Sequence, residues 1–455
     1  MMTTAQHPGA NSLQAPLLRH VYAIGLLAFA LSFPLFPKAH SSIESILVLI
    51  FLGVTFFTPS ARGIRPMILR DPIFTLSLSL LAFLLLAQLW YQFTRPDYID
   101  ASSRAARYYL KPFMILVIGT GLSLCGRAWS WRFLMAAMTG LTLYLIFKTD
   151  PHTWVRAEAG ARVDFGIHNA EHTALFFGSS LLALLVFTPR ILRTHNGVAK
   201  FLLAAGLGLL LSLTVFGTLV AQTRAAWLGL LVSLGIASLL VPWLISRQQA
   251  NPARHMLRYA ILFVAVIGLL VTIAVTGFDA DDLIADRLAR ENVSLGTITQ
   301  AAELQSSPTT SVSIRIASWS AATHWIAERP WLGWGPDATD SLIQHTDIFS
   351  PWFKKNFGHV HNSYFESLIA NGVIGSALLM AIAVWLAIAI IRAHRDGRLP
   401  TDVFVFGWVF FGFWAVVNAF ESFTLYPTGQ YINAVMGGFL YSFCLNFSRG
   451  DSENA

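Results

Sequence analysis

Long apolar runs, separated by short polar segments, recur along most of the chain. The runs lack the alternation of apolar and polar residues that marks a membrane β-strand, and most approach the ~20 residues that a helix needs to cross a bilayer. Because lipid offers the backbone no hydrogen bonds, the runs are predicted to be transmembrane helices. Twelve spans are expected, at residues 21–36, 43–58, 73–94, 109–125, 129–148, 170–187, 198–219, 225–246, 257–277, 363–392, 402–420 and 429–447.

The longest polar interval lies between the ninth and tenth spans, at residues 278–362. A structureless loop of that length is unusual, so the interval is predicted to fold into short elements of its own. One is a helix from Ser311 to Glu328, which Ser311 or Ser313 would cap and Pro330 and Gly333 would end. The chain then divides into spans one to nine (1–277), the loop (278–362), spans ten to twelve (363–447) and a short tail (448–455).

The composition agrees with a membrane protein. The chain of 455 residues is 55% hydrophobic and only 12% charged, whereas a soluble domain carries about 25% charged residues. Its mean hydropathy is +0.58. The two cysteines, Cys125 and Cys444, lie at or inside span ends, so neither a disulfide nor a cysteine metal site is expected.

The distribution of charge predicts the orientation in the membrane. With the N-terminus placed in the cytoplasm, the cytoplasmic segments hold a clear excess of Lys and Arg, and the outer segments hold more acidic than basic residues. Both termini are therefore expected in the cytoplasm, with the long loop and the shorter segments 149–169, 219–224 and 421–428 on the outer side of the cell inner membrane. The formal charge of +7 then reflects topology, and no nucleic acid partner is predicted.

Arginines on the outer side are the first candidates for chemistry, because the topology rule predicts few cations there. Arg224 lies in the turn between spans seven and eight, Arg315 in the loop helix, and Arg156 and Arg162 between spans five and six. Arginine suits bidentate contacts with phosphate and keeps its charge when partly buried. The alternative is that each side chain only extends to the lipid headgroups.

A second candidate is His361-Asn362, where span ten begins. A neutral imidazole at the water interface can act as a general base. If a helix starts at His361, Gly372 and Gly375 fall on the same face, where glycines permit close approach of a neighbouring helix or a lipid chain. The alternative is a histidine that only caps the helix.

Two further features carry weaker predictions. His168-Asn169-Ala170-Glu171-His172 has a spacing known from zinc sites, but it is short and no third ligand is evident, so no metal is expected. Glu421 lies at the outer end of span eleven, where an acidic residue is costly unless it is paired. An arginine of the outer segments is its predicted partner, in a catalytic or a purely structural pair.

The motifs resemble those of the O-antigen ligase family. His361-Asn362, nine residues and Gly372-Val373-Ile374-Gly375 match its H-[NSQ]-x9-G-x-x-[GTY] motif at every fixed position, directly after a long outer loop. The stretch from Thr223 to Leu228 is similar to the family's arginine-bearing turn. The stretch from Arg315 to Pro336, which ends in Pro330-Trp331-Leu332-Gly333-Trp334-Gly335-Pro336, resembles its R…W…P-x-x-G-x-G segment.

The resemblance implies a GT-C-type membrane glycosyltransferase that needs no metal or other cofactor. Its donor would be O-antigen on undecaprenyl pyrophosphate, and its acceptor a sugar of lipid A core at the periplasmic face. His361 would be the base, and Arg224 and Arg315 would bind the pyrophosphate in an inverting transfer. The substrate-binding candidates of second rank are Arg156, Arg162, His168, Asn362, Gly372 and Glu421.

Other functions stay open from the sequence. An O-antigen polymerase shares lipid-linked donors and a many-span fold, but polymerases typically have two large outer loops. A protein O-oligosaccharyltransferase shares the motif region, but usually carries an additional C-terminal soluble region. A transporter would place polar groups near the middle of the membrane. A membrane zinc hydrolase would depend on His168 and His172.

Overall fold

A computed structural model describes residues 16–58, 64–99, 106–246 and 310–445, together with the single residues 257, 261 and 268. Most of these residues are helical, and no strand occurs among them. The helices are α1 (Pro16–Leu35), α2 (Pro37–Leu52, followed by a π-turn at Gly53–Phe57), α3 (Arg65–Leu69), α4 (Pro72–Thr94), α5 (Ala106–Leu110), α6 (Phe113–Cys125), α7 (Arg127–Phe147), α8 (Pro151–Glu158), α9 (Ala170–Arg193), α10 (Gly197–Val220), α11 (Arg224–Ser246), α12 (Ser311–Glu328), α13 (Ala338–His345), α14 (Pro351–Asn356), α15 (Ser363–Arg395), α16 (Thr401–Asn418) and α17 (Pro427–Ser442).

Within the described ranges, ten helices are long and apolar enough to cross a membrane, and each corresponds to a predicted span. The chain is therefore a multi-pass, all-α membrane protein. The ninth predicted span, 257–277, lies outside the described residues apart from 257, 261 and 268. The twelfth, predicted at 429–447, corresponds to α17, whose 16 residues are fewer than the ~20 of a perpendicular span. The count of twelve spans stays a prediction.

The core of the bundle packs aromatic rings against glycines. Phe413 of α16 lies against Gly178 of α9 and Gly229 of α11, where a Cβ atom would collide with the ring. Phe177 lies against Gly217 of α10 in the same way. Small residues at helix interfaces let membrane helices approach closely, and that is how α9, α10, α11 and α16 form one compact group.

The described part of the long loop, 310–362, folds over its own apolar core, as the sequence predicted; the remainder, 278–309, lies outside the described residues. Trp325, Trp334, Phe349 and Phe353 are the large buried residues of this core. The cap of α12 is Thr310, one residue before the predicted position. Its hydroxyl accepts from the Ser313 amide, while the Ser313 hydroxyl accepts from the Thr310 amide in return.

Helix α15 is broken at Gly372, which corrects the prediction of one continuous helical face. Gly372 has φ +58° and ψ −166°, a conformation that is essentially restricted to glycine. The loop after α12 fills the break: the amides of Trp334 and Gly335 donate to the carbonyls of Ile369 (2.7 Å) and Ala370 (2.9 Å).

The same loop also provides a hydrogen-bond acceptor for the helix beyond the break. The amide of Val373 donates to the carbonyl of Pro330 at 2.7 Å, so backbone groups freed by the break are satisfied inside the membrane protein. A Cβ atom at Gly372 would collide with the Trp331 carbonyl. At Gly375 the neighbour is Phe83 of α4, which confirms the predicted close approach of another helix at that glycine.

Replacement of Gly372 by Ala is expected to destabilise the protein by about 3 kcal/mol or more, because the methyl group meets both a forbidden backbone conformation and the inserted loop. Gly235→Ala is the matched control: Gly235 lies inside α11 with nothing within 4 Å of its added Cβ, so this change should stabilise by about 0.5–1 kcal/mol. Thermal unfolding in detergent measures both, and equal midpoints would contradict the role given to Gly372.

Candidate active site

The polar connections meet at one end of the bundle, which we call the loop end. The Arg162 Nε atom donates to the Ala221 carbonyl at 3.2 Å, and Arg315 Nε donates to the Phe420 carbonyl at 3.1 Å. The Tyr426 hydroxyl lies 3.3 Å from His359 Nδ1. Segments 149–169, 221–223, 310–362 and 419–426 therefore lie side by side.

A cavity of ≈ 370 Å³ opens at the loop end between α11, α12 and the end of α16. Its charged residues are Arg224, Arg315 and Glu171. The other lining residues are Gln222, Thr223, Ala225, Leu228, Ser311, Val312, Ile316, Trp319 and Phe420. Arginines beside a mostly apolar wall suit a ligand that has an anionic head and an apolar tail.

Arg315 is held by contacts on three sides. Its Nη2 atom pairs with Glu171 Oε1 at 3.2 Å, and its Nη1 atom donates to the Ser311 carbonyl at 3.2 Å, in addition to the bond to Phe420. Arg162 pairs with the other oxygen of Glu171 at 2.8 Å. One carboxylate thus faces two guanidinium groups, so this group of side chains keeps a net positive charge.

Glu171 is a candidate site residue that was not predicted from the sequence, where it was noted only within the zinc-like pattern of residues 168–172. Its position in the first turn of a predicted membrane span was the available signal, since an acidic residue there needs a cationic partner.

Arg224 is the first residue of α11 and follows a tightly held turn. Gln222 has φ +48°, and its side-chain amide donates to the Gly160 carbonyl at 2.8 Å. The Thr223 hydroxyl donates to the Ala170 carbonyl at 3.3 Å. These bonds fix the start of α11, so that Arg224 adds its charge to the positive end of the helix dipole at the cavity.

His361 lies beside this cavity in a strained turn, with φ +53°. Its Nδ1 atom is 3.2 Å from Glu421 Oε2, and because a carboxylate only accepts, Nδ1 carries the proton. Its Nε2 atom is buried and has no hydrogen-bond partner in the part of the chain that the structure describes. The imidazole therefore has one oriented donor and one unused basic nitrogen, the arrangement of a general base with its orienting carboxylate.

Glu421 is shared by two histidines, which corrects the expected pairing with an arginine. Its Oε1 atom accepts from His359 Nε2 at 3.0 Å and from the Ser422 amide at 2.8 Å. Arg315 is instead directed to Glu171 and to the Phe420 carbonyl. His359 was missed in the sequence, although its place two residues before His361 puts both imidazoles in one turn.

The environment sets the pKa values of these three groups in different directions. Burial lowers the pKa of His361, and Glu421 offsets this only in part. Burial also opposes the charge on His359, but there Glu421 outweighs it and raises the pKa. For Glu421, burial acts to raise the pKa, but the two imidazoles hold it well below its usual range. The triad therefore contains a carboxylate, and His359 is the histidine whose charged form is favoured.

Glu366 of α15 holds the turn in place from below. Its Oε1 atom accepts from the Val360 amide at 2.7 Å and from the Ser422 hydroxyl at 3.3 Å, and its Oε2 atom accepts from the Thr339 hydroxyl at 2.7 Å. Its side chain is 1% exposed. One buried carboxylate thus joins the turn of residues 359–361, the 421–422 turn and α13. These bonds keep the strained His361 conformation in place.

The predicted trio of Arg224, Arg315 and His361 comes together at this end. Both arginines line the cavity. His361 is not one of its lining residues, but it lies next to the wall formed by Trp319 and Phe420: the Trp319 indole donates to the Val360 carbonyl at 3.0 Å, and Phe420 precedes Glu421. The charge of Arg315 is also close enough to lower the pKa of His361.

The second-rank residues differ in their positions. Asn362 caps α15, with its side-chain oxygen accepting from the amides of Tyr364 (2.9 Å) and Phe365 (3.2 Å). Arg156 is exposed on α8 and is not among the residues that line the cavity. His168 is exposed, with its ring 4.8 Å from that of Tyr426. Binding roles for these residues stay predictions.

Two groups of residues bear on metal binding. The zinc-like pattern does not assemble as one: His172 is buried on Thr428, and Glu171 pairs with arginines. Over the described ranges, the group with ligand atoms close together, within 4.8 Å, consists of His359, His361 and Glu421. Each imidazole donates directly to its own oxygen of Glu421, so we describe these three as a hydrogen-bonded triad and not as metal ligands.

Comparison with known proteins gives two matches. Residues 207–380 match the family model described as O-antigen ligase. An uncharacterized protein of Haemophilus influenzae is 27% identical over 173 residues, which are 37% of this chain and 39% of that protein. The alignment thus covers less than two thirds of that relative's length.

The family match includes the residues that carried the sequence resemblance. Arg224, Arg315, His361 and Gly372 all lie within 207–380, and the structure brings the three charged or titratable ones to the same end of the bundle. Glu171 and Glu421, which pair with them, lie outside the matched stretch. The match to the O-antigen ligase family model over residues 207–380 therefore supports the resemblance that the sequence motifs indicated.

Proposed function

We propose that this protein transfers O-antigen polysaccharide from undecaprenyl pyrophosphate to a sugar of lipid A core, at the periplasmic face of the cell inner membrane. The observation that carries the proposal is the meeting of Arg224 and Arg315 in one cavity beside His361, within the family-matched part of the chain. The proposal includes the GT-C class and twelve spans. It also places both termini in the cytoplasm, which agrees with the charge of the connecting segments.

The transfer is a single displacement that inverts the anomeric carbon. The acceptor hydroxyl oxygen forms the new bond to that carbon, the bond from the carbon to the phosphate oxygen breaks, and the hydroxyl proton moves to His361 Nε2. This nitrogen is the basic atom that the triad leaves unused, while Nδ1–H···Glu421 fixes the ring. Base catalysis of this kind contributes about 10²–10⁴-fold.

The leaving group determines the role of the arginines. As the glycosidic bond breaks, negative charge grows on the pyrophosphate and has to be stabilised in the transition state. Arg224 and Arg315 supply that stabilisation, and Arg162 adds to it through Glu171. The apolar side of the cavity, with Leu228 and Ile316, suits the first isoprene units of the lipid carrier.

Replacement of His361 by Ala is expected to lower transfer by about 10²–10⁴-fold, since the proton of the acceptor hydroxyl loses its base. Purified protein is incubated with a lipid-linked glycan and lipid A core, and product size is read on a gel. His324→Ala is the matched control, because His324 is exposed on α12 and should leave the rate unchanged. Glycan growth on the lipid carrier without transfer to lipid A core would contradict the proposal and favour a polymerase.

Lysine at position 224 or 315 is expected to lower kcat/KM for the donor about 10–100-fold, even though charge is conserved. A lysine cannot reproduce the forked contact with phosphate, and a hydrogen bond to a charged group is worth about 1.5–3 kcal/mol. Arg193→Lys is the control, since this exposed residue in the last turn of α9 lies off the cavity lining and should change the rate little. Full activity of Arg315→Lys would exclude a bidentate role.

Chelators are expected to leave the transfer rate unchanged, because the cations proposed to act on the pyrophosphate are arginines. The measurement compares untreated enzyme with enzyme dialysed against EDTA or phenanthroline. Loss of activity that zinc restores would instead assign the metal to His359, His361 and Glu421, the group with suitable ligand spacing.

A further inference from the structure

One buried carboxylate faces two imidazoles at the loop end. Glu421 Oε1 lies 3.0 Å from His359 Nε2, and Oε2 lies 3.2 Å from His361 Nδ1, with the ring centroids 4.1 Å apart. The Glu421 side chain is 3% exposed. In a site shielded from water, two imidazolium ions at this separation would repel each other strongly, and one carboxylate balances the charge of only one of them. The pair therefore holds at most one positive charge, on one of the two rings.

The hydrogen bonds differ between the two rings. An imidazolium donates from both nitrogens, so a buried one needs two acceptors. His359 has both: Glu421 at Nε2, and the Tyr426 hydroxyl oxygen 3.3 Å from Nδ1. His361 has only Glu421, since its buried Nε2 meets no partner among the described residues. The geometry therefore favours the charge on His359.

The surrounding charges act in the same direction. Glu366 on α15 lies close enough to favour the charged form of His359, whereas Arg315 on α12 disfavours the charged form of both histidines. Tyr426 acts as the hydroxyl acceptor, and its pKa is raised by burial, so it stays neutral. The groups that face the pair are Glu421, Glu366, Arg315, Tyr426 and His172.

We propose that His359 is a positioning residue that holds the positive charge balancing Glu421, so that His361 stays neutral and offers its unpartnered Nε2 to the acceptor hydroxyl. The inference rests on the proposed function for the identity of that hydroxyl, but the charge arrangement of the triad stands without a substrate. The task of His359 differs from that of the base: its charge offsets the carboxylate of Glu421, which would otherwise stabilise the protonated form of His361.

The sign of the pH effect follows from this arrangement. Without the charge on His359, Glu421 acts on His361 alone and raises the pKa of His361. A base with a raised pKa is protonated at higher pH, so activity is lost earlier as the pH falls. At high pH the variant base is neutral again, and activity returns. A residue that only supported the fold would lower activity equally at every pH.

The test measures kcat/KM against pH for the wild type, His359→Gln and His324→Gln. Glutamine keeps a side-chain donor for Glu421 but cannot carry the charge. The acid limb of His359→Gln should move up by about one pH unit, with about a tenfold loss below it and near-complete recovery above it. His324→Gln, the same change at an exposed position, should overlay the wild type. An unmoved limb, a shift to lower pH or a uniform loss would overturn the proposal.

A second measurement separates this proposal from the ligase assignment. NMR titration of ¹⁵N-histidine-labelled protein in nanodiscs follows His361 without donor or acceptor, with the signal assigned by its loss in His361→Gln. The midpoint of His361 should rise in His359→Gln, and by a smaller amount in Tyr426→Phe, which removes the acceptor at His359 Nδ1. Unchanged midpoints in both variants would overturn the role of His359, whether or not the protein ligates O-antigen.

Discussion

The loop end depends on the backbone exchange at the break in α15. Because Gly372 leaves the helical conformation, the carbonyls of Ile369 and Ala370 and the amide of Val373 become available, and the Pro330–Gly335 loop binds them. The Tyr91 hydroxyl of α4 donates to the carbonyls of Leu332 and Ala370, which holds both sides of the joint. This loop directly follows α12, which carries Arg315, and α15 begins two residues after His361, so the joint sets the distance between cation and base.

Three carboxylates, the buried Glu366 and Glu421 and the half-buried Glu171, then determine the charge of each part of the site. Glu171 balances one of two arginines, Glu421 balances one of two histidines, and Glu366 binds mainly backbone and hydroxyl groups. Burial of a charge is costly unless it is paired and hydrogen-bonded, so each carboxylate also locks the elements that supply its partners. The arginine group keeps an excess of positive charge for a phosphate, and the histidine triad keeps one neutral imidazole beside it.

The sequence predicted features that depend on local composition. Hydropathy located ten spans, and the scarcity of cations on the outer side singled out Arg224 and Arg315, because both signals are present in short stretches of chain. Span two was predicted to begin at residue 43, whereas α2 begins at Pro37. His40 is buried in the added turn, where its Nδ1 lies 2.9 Å from the Ser32 hydroxyl and its ring lies 4.6 Å from that of Phe29.

The features that the sequence did not predict are those made by contacts between distant segments. The roles of Glu366 and His359 arise only when residues 339, 360 and 421–422 meet. The break at Gly372 is equally invisible to helical periodicity, because an inserted loop from 40 residues away stabilises it. The family-matched stretch 207–380 contains both candidate arginines and the base, whereas Glu171 lies in a helix before it and Glu421 in a turn after it. The charge state of the site is therefore set by residues outside the motifs, and substitutions there can tune the base and the phosphate contacts without altering the motifs themselves.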